Sequence, residues 1–238
     1  MKKYLIFVMS NLCIIPARGG SKRIPRKNIK SFLGKPIIAY SIEAALMSNL
    51  FDEVMVSTDD KEIASIAVKY GAKVPFLRSK ENSDDFATTF DVIKESLDNY
   101  NRQGKFFEHV CCLYPCAPFV TSNSLKNALL KLNDESQAVI PIVRFSFPVQ
   151  RAFKIRGTYL KYIYPEFEKS RSQDLEVTYH DAGQYYFFKP QAILNQKTLM
   201  PTNTTFIELD EFHVQDIDTE MDWKLAELKY QLSQNEIS

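Results

Sequence analysis

An excess of charge of one sign is missing. The chain's 30 Lys and Arg balance 29 Asp and Glu, leaving a formal net charge of +1 over 238 residues. No global field exists to recruit nucleic acid or an anionic membrane. Cysteine is scarce, with four residues at Cys13, Cys111, Cys112 and Cys116. Their spacing matches no zinc motif. Cys112 and Cys116 have a ligand-like separation, but no second pair or histidine cluster joins them. Reduced thiols are the expectation, with Cys111 and Cys112 facing opposite sides of a strand. No apolar run approaches the ~20 residues that a membrane span needs. Neither GxxxxGK[ST] nor GxGxxG occurs, which removes the two common phosphate motifs. Internal repeats and low-complexity linkers are absent as well. The opening "MKKYLIFVMSN" has too short an apolar stretch for a secretory signal and no small-residue cleavage site. Residues 1–9 are therefore read as an extension of low functional content, and a cytoplasmic location is expected.

What is present is an alternation of buried strands and amphipathic helices. Strands are expected at 12–16, 53–57, 74–77, 109–114 and 138–143, and helices at 36–48, 61–70, 86–101 and 122–132. This βαβαβ rhythm predicts one α/β domain over residues 1–238, with a mostly parallel sheet between helical layers. The rhythm breaks at 144–180, a stretch rich in aromatics, Pro, Arg and Lys that reads as an inserted extended arm. The core resumes at 183–188 and 213–217, before a last helix at about 220–234.

The densest chemistry lies just after the first strand, in "IIPARGGSKRIPRKN". Arg18, Lys22, Arg23, Arg26, Lys27 and Lys30 follow one another with no acid among them. A basic run alone is more often a solvated surface, or a patch that touches RNA. Here it follows a buried strand in an α/β pattern, at the sheet edge where such folds bind ligands. Gly19 and Gly20 allow close backbone approach. Ser21 adds a hydroxyl and free N–H groups, and Arg18, Lys22 and Lys27 supply charge. A polyphosphate site follows.

Near the other end, "VQDIDTEMDW" puts Asp216 and Asp218 two residues apart. On a strand end both carboxylates would share one face, roughly 7 Å apart, and would suit Mg²⁺, a hard cation held by carboxylates and phosphate oxygens. Thr219, Glu220 and Asp222 fit a helix start instead. Asp59 and Asp60 read as helix caps, and Thr88 and Thr89 have the same simple explanation.

Together, "IIPARGGSKRIPRKNIKSFLGKPIIAYSI", "VSTDDKEIA", "PFLRS" followed by "DDFATT", and "QDIDTEMDW" resemble the CMP-sugar synthetases, cytidylyltransferases that activate sialic acids and related nonulosonic acids. The resemblance spans nearly the whole chain and is strongest to the branch that activates pseudaminic acid. It implies a three-layer α/β/α, Rossmann-like nucleotide-diphospho-sugar transferase fold. It implies that Arg18, Gly19, Gly20, Ser21, Lys22 and Lys27 hold the CTP triphosphate. Asn28 would lie near the ribose and base, while Arg78, Ala87 and Thr89 would form the cytosine pocket.

The reaction implied is attack of the acceptor's anomeric hydroxyl on the α-phosphorus, with loss of pyrophosphate, for bacterial surface or flagellar glycosylation. Arg18, Lys22 and Lys27 would be catalytic. Mg²⁺ would sit on Asp216 and Asp218, and the hydroxyl proton would leave by metal assistance or to Asp216. Sialic acid synthetases carry a QPTSP-like stretch where this chain has "YPCAP", so Tyr114 replaces a sugar-contacting glutamine. Gln150, Arg151, Gln184 and Tyr186 complete the acceptor candidates. The arm at 144–180 would dimerise. Sialic, legionaminic and Kdo activation remain open, as does a nucleotide-binding regulator that has lost catalysis.

Overall fold

The computed structural model describes residues 10–235, so the expectation for residues 1–9 lies outside the described residues. Along the chain run β1 (Asn11–Pro16), a β2–β3 hairpin (Ser31–Phe32 and Lys35–Pro36), α1 (Ile37–Ser48), β4 (Glu53–Ser57), α2 (Lys61–Lys69), α3 (Thr89–Arg102), β5 (His109–Leu113), α4 (Ser122–Lys131) and β6 (Ala138–Arg144). There follow β7 (Phe153–Arg156), β8 (Tyr159–Tyr162), β9 (Tyr179–Asp181), β10 (Tyr185–Phe188), α5 (Pro190–Gln196), β11 (Thr204–Leu209) and α6 (Glu220–Asn235).

The main sheet has the order β11-β6-β10-β5-β1-β4, with β9 added beside β6. β1 pairs in parallel with both β4 and β5. Leu12, Cys13, Ile14 and Ile15 are all fully buried, the unbroken apolar run of a strand covered on both faces. Alternation sends Cys13, Ile15, Cys111, Leu113, Tyr185 and Phe187 to one face, against side chains of α1, α2 and α4. Leu12, Ile14, Val110, Cys112, Tyr186 and Phe188 go to the other, against α3 and α5. Three layers result, and the adjacent cysteines Cys111 and Cys112 part to opposite faces.

β10 runs antiparallel to both β5 and β6, within the mostly parallel sheet expected. Three details of strand assignment differ from the sequence expectation. The edge strand β11, parallel to β6, was not foreseen. Its "TTFIEL" is half exposed, so its apolar signal is weak. Residues 74–77 form no strand; the chain makes only a parallel bridge from Lys73 to Met55.

Nor do 213–217 form a strand. Carbonyls there and just before accept from side chains instead of a ladder: Glu211 and Val214 from Lys229 Nζ, His213 from Gln184 Nε2, and Ile217 from Lys27 Nζ. Backbone polar groups are thus satisfied without strand pairing.

Helix starts carry clear signals. Asp60 caps α2 by accepting from the Glu62 and Ile63 N–H groups. Thr88 and Asp91 form a reciprocal capping box that starts α3 at Thr89, later than expected. The delay has a cause: Asp84 Oδ1 accepts from the N–H groups of Phe86 and Ala87, at 2.8 Å each, and holds a turn before the helix.

Candidate functional site

The carboxyl ends of β1, β4, β5 and β6 meet at one edge of the sheet. Because β10 is reversed, its amino end arrives there too. A cleft of about 800 Å³ opens at this edge. Its lining includes Arg18, Ser21, Lys22, Lys27, Asn28, Arg78, Ala87, Thr89, Tyr114, Tyr186 and Asp216, expected from sequence to share a site. Gly19 and Gly20 belong to the same loop behind this lining. Asp218, Gln150, Arg151 and Gln184 stand outside it.

The basic loop is fixed by acids from other segments. Arg18 pairs with Asp85 at 2.9 Å and donates to the Asp84 carbonyl at 2.8 Å. Lys22 reaches the other oxygen of the Asp85 carboxylate. Arg23 pairs with Asp218 at 2.6 Å, and Lys27 lies 3.8 Å from the same carboxylate. Arg26, in a left-handed conformation with φ 55°, spreads its guanidinium over Asp60 and Glu62. These partners pull the Asp85 carboxyl below its usual range, Lys22 first, and bring Asp60 down to about 2, with the Arg26 hydrogen bond foremost.

Gly19 packs closely against Asp60. A Cβ there would meet Asp60 Oδ2 at 2.8 Å, whereas one at Gly20 meets nothing within 4 Å. The Gly19 N–H donates to Asp59 Oδ1 at 2.9 Å. Sequence reading had made both Asp59 and Asp60 helix caps. Asp60 is one, and Asp59 instead anchors the loop.

The cleft floor holds Arg78. Its Nε donates to Ser57 Oγ at 3.1 Å and its Nη2 to the Ser57 carbonyl at 2.5 Å. Burial lowers this guanidinium to about 10, and no carboxylate among the described residues pairs with it directly. Asp59 and Glu95 act on it only from a distance, and a buried charge without a direct partner is costly, so an electron-rich ligand oxygen is a natural partner. Thr88 is used up in capping, but Thr89 is not: its hydroxyl faces the Tyr114 hydroxyl at 3.3 Å. Asn28 Nδ2 donates to the Arg18 carbonyl at 2.9 Å and steadies the loop from within.

On the opposite wall, the Tyr114 and Tyr186 rings meet edge to face at 5.6 Å. Tyr186 donates to Asp181 Oδ2 at 2.5 Å, and the other oxygen of Asp181 accepts from the Gly183 N–H at 2.7 Å. Burial raises the Tyr114 hydroxyl, so it stays protonated and able to donate. Cys116 Sγ lies 3.4 Å from Asn28 Oδ1, and burial pushes its thiol up to about 12. Tyr185 and Phe187 are core residues on the alternate face.

The acid pair divides. Asp216 lines the cleft, and its carboxylate has no partner among the described residues. Asp218 is engaged by Arg23. No strand forms here, so no ladder fixes the two carboxylates on one face. Among the described residues no cluster of three metal-ligating side chains exists. Beyond the pair, Asp222 accepts from the Thr219 and Asp218 N–H groups at the start of α6, and Glu220 pairs with Lys30 at 2.6 Å.

The remaining acceptor candidates have other engagements. Gln184 is buried and holds the His213 carbonyl at 2.7 Å, so it positions the acid-bearing segment. Gln150 and Arg151 are bonded inside the arm, to the Glu176 carbonyl and to Ser172 Oγ. Asp85, His180, Asp181 and Gln215 line the cleft and were not singled out from sequence. Asp85 and Gln215 lie within motifs quoted above, "DDFATT" and "QDIDTEMDW".

The model of the family described as cytidylyltransferase matches residues 12–223. The pseudaminic acid cytidylyltransferase of Campylobacter jejuni subsp. jejuni serotype O:23/36 (strain 81-176) is 46% identical over 227 residues, covering 94% of this chain and 98% of that one. The CMP-N,N'-diacetyllegionaminic acid synthase of Legionella pneumophila subsp. pneumophila is 34% identical, with 95% and 98% covered. Among solved structures, CMP:2-keto-3-deoxy-manno-octonic acid synthetase complexed with CTP superposes with a TM-score of 0.67 at 17% identity, over 95% of this chain and 99% of that one. That last likeness speaks to the fold alone. The match over most of its length makes this chain a member of the cytidylyltransferase family.

Proposed function

We propose that the protein activates a nonulosonic acid, pseudaminic acid in the first instance, by converting it with CTP to the CMP-sugar and pyrophosphate. One observation carries this reading. A single cleft gathers the Arg18–Lys27 phosphate loop, the buried Arg78 and the paired Tyr114 and Tyr186, in a chain whose 46% identical relative is a pseudaminic acid cytidylyltransferase.

In this reading Arg18, Ser21, Lys22 and Lys27 hold the triphosphate, with Gly19 and Gly20 giving backbone access. Arg78 donates to the cytosine carbonyl oxygen, beside Ala87 and Thr89. Asn28 faces the ribose. The acceptor lies against Tyr114 and Tyr186, and its anomeric oxygen attacks the α-phosphorus in line with the departing pyrophosphate. Such transfers need positioning and charge neutralisation more than covalent help. Arg18 and Lys22 stabilise the negative charge that grows on the leaving group. The free carboxylate of Asp216, together with Asp218, suits Mg²⁺; when bound, the ion supplies further positive charge against the triphosphate.

The arm at 144–180 serves association into a homodimer, and Gln150 and Arg151 on it are the candidates to meet the sugar carboxylate. Among the described residues no helix is long and apolar enough to cross a membrane. The proposed setting is the cytoplasm, upstream of surface or flagellar glycosylation.

The test is pyrophosphate release with CTP and Mg²⁺, offering pseudaminic acid, N-acetylneuraminic acid and Kdo in parallel. Release with pseudaminic acid alone is expected. Preference for another acid would overturn the acceptor while keeping the nucleotide site, and no release with any acid would defeat the enzymatic reading.

A further inference from the structure

Asp85 has no place in the chemistry above, yet it occupies the centre of the phosphate loop. One carboxylate oxygen lies 2.9 Å from Arg18 Nη1, and the other is taken by Lys22 Nζ. Lys22 has no other acidic partner among the described residues, and its side chain is 75% exposed. Arg18 makes its second bond to the Asp84 carbonyl, also on this turn. The turn is built to deliver the carboxylate here. Asp84 Oδ1 binds the Phe86 and Ala87 N–H groups, and the Thr88–Asp91 box closes it from the helix side. The same turn presents Ala87 to the cleft.

A carboxylate held between a guanidinium and an ammonium has the chemistry of a bound phosphate. We infer that Asp85 is an internal counter-ion occupying the seat that Arg18 and Lys22 offer to polyphosphate. An incoming triphosphate must displace it, and it returns when pyrophosphate departs. The inference rests on the nucleotide reading of the cleft.

A quantitative consequence separates competition from simple positioning. If the seat is free only part of the time, every ligand that uses it loses affinity by one common factor. CTP and pyrophosphate share that factor. Cytidine has no phosphate and escapes it. Removing the charge at residue 85 therefore tightens the first two equally and leaves the third alone. Two exposed ion pairs set the size of the gain at roughly three- to tenfold.

The experiment is calorimetric titration of the full chain, without acceptor sugar and at fixed Mg²⁺ and low salt, with CTP, pyrophosphate and cytidine. Wild type, Asp85→Asn and Asp85→Glu are compared, with circular dichroism confirming that each is folded. The expected result is tighter CTP and pyrophosphate for Asp85→Asn, no gain for cytidine, and wild-type behaviour for Asp85→Glu. Unchanged or weaker CTP and pyrophosphate binding by Asp85→Asn, with wild type binding both, would overturn the counter-ion role alone. Weaker binding would mean that Asp85 orients the cations instead. A wild type that binds neither CTP nor pyrophosphate would overturn the nucleotide reading, and the counter-ion role with it.

Discussion

The basic loop and the arm at 144–180 solve the problem of exposure in opposite ways. In sequence the loop is an unrelieved run of cations. In space those cations meet acids brought from three other segments: Asp60 and Glu62, Asp85, and Asp218 with Glu220. Among the described residues the arm's apolar side chains find no such partners. Its strands β7 and β8 pair there only with each other, and Phe147, Ile155, Tyr159 and Leu160 are each more than 60% exposed. An isolated two-stranded hairpin is marginal in water, and exposed apolar surface of this kind supports the proposed dimer interface. Charge is neutralised within one chain here, whereas apolar surface would, on that reading, be covered by another.

Breaking the loop should have the largest effect. Lys22→Ala is expected to lower kcat/KM by ~10²- to 10³-fold, measured as pyrophosphate release. Its Nζ is exposed, so thermal unfolding should be nearly unchanged. Asp218→Ala should also lose most activity, because it frees Arg23 and disturbs Lys27. Unchanged turnover in both would defeat the mechanism.

An intermediate effect should come from the strut between loop and α2. The Asp60 carboxyl is lowered to about 2 in the folded protein, first by Arg26. A depressed carboxylate stabilises the fold above its unfolded value of about 4, and that stability is lost as pH falls from about 4 towards 2. Asp60→Asn keeps the cap but loses the charge. Urea unfolding should show it about 1–2 kcal/mol less stable at pH 6, with the gap to wild type closing as pH drops to 3. A gap that does not change with pH would remove the ion pair from the account.

The smallest effect on the fold should come from the arm. Ile155 and Leu160 face each other across the hairpin and are exposed. Replacing both by Asp should move monomer stability by less than ~0.5 kcal/mol. Sedimentation should nevertheless show a dimer becoming a monomer. A double variant that still sediments as a dimer would place the interface elsewhere.

Much of this comparison was legible in the sequence, for identifiable reasons. β1, β4, β5 and β6 carry continuous apolar runs that only a doubly covered sheet explains, and the glycine-bearing basic loop after β1 marked the cleft edge. The separation of Thr88 from Thr89 was less legible, because a capping threonine and its neighbour look alike until the helix start is known. β10's direction depends on a long excursion through the arm, which no local pattern encodes. β11 hid because a half-exposed edge strand alternates weakly. Asp216 and Asp218 were legible as a pair, but not that 213–217 forms no strand, since its carbonyls are taken by distant side chains such as Lys27, Gln184 and Lys229. Asp85 was missed because its partners, Arg18 and Lys22, lie more than sixty residues away.

The reversal of β10 has one further result. The arm leaves the sheet at the end of β6 and comes back through β9, which pairs with residues 142–144 of that same strand. The end of β9 and the residues that follow it, Asp181, Ala182 and Gly183, are cleft wall. The arm is thus tied, through continuous backbone, to the cleft wall that holds Asp181 and Gly183. On the proposed reading that wall faces the sugar and the arm's far end meets a second copy. Substitutions far out on the arm would then bear on acceptor choice while leaving the nucleotide half of the cleft untouched.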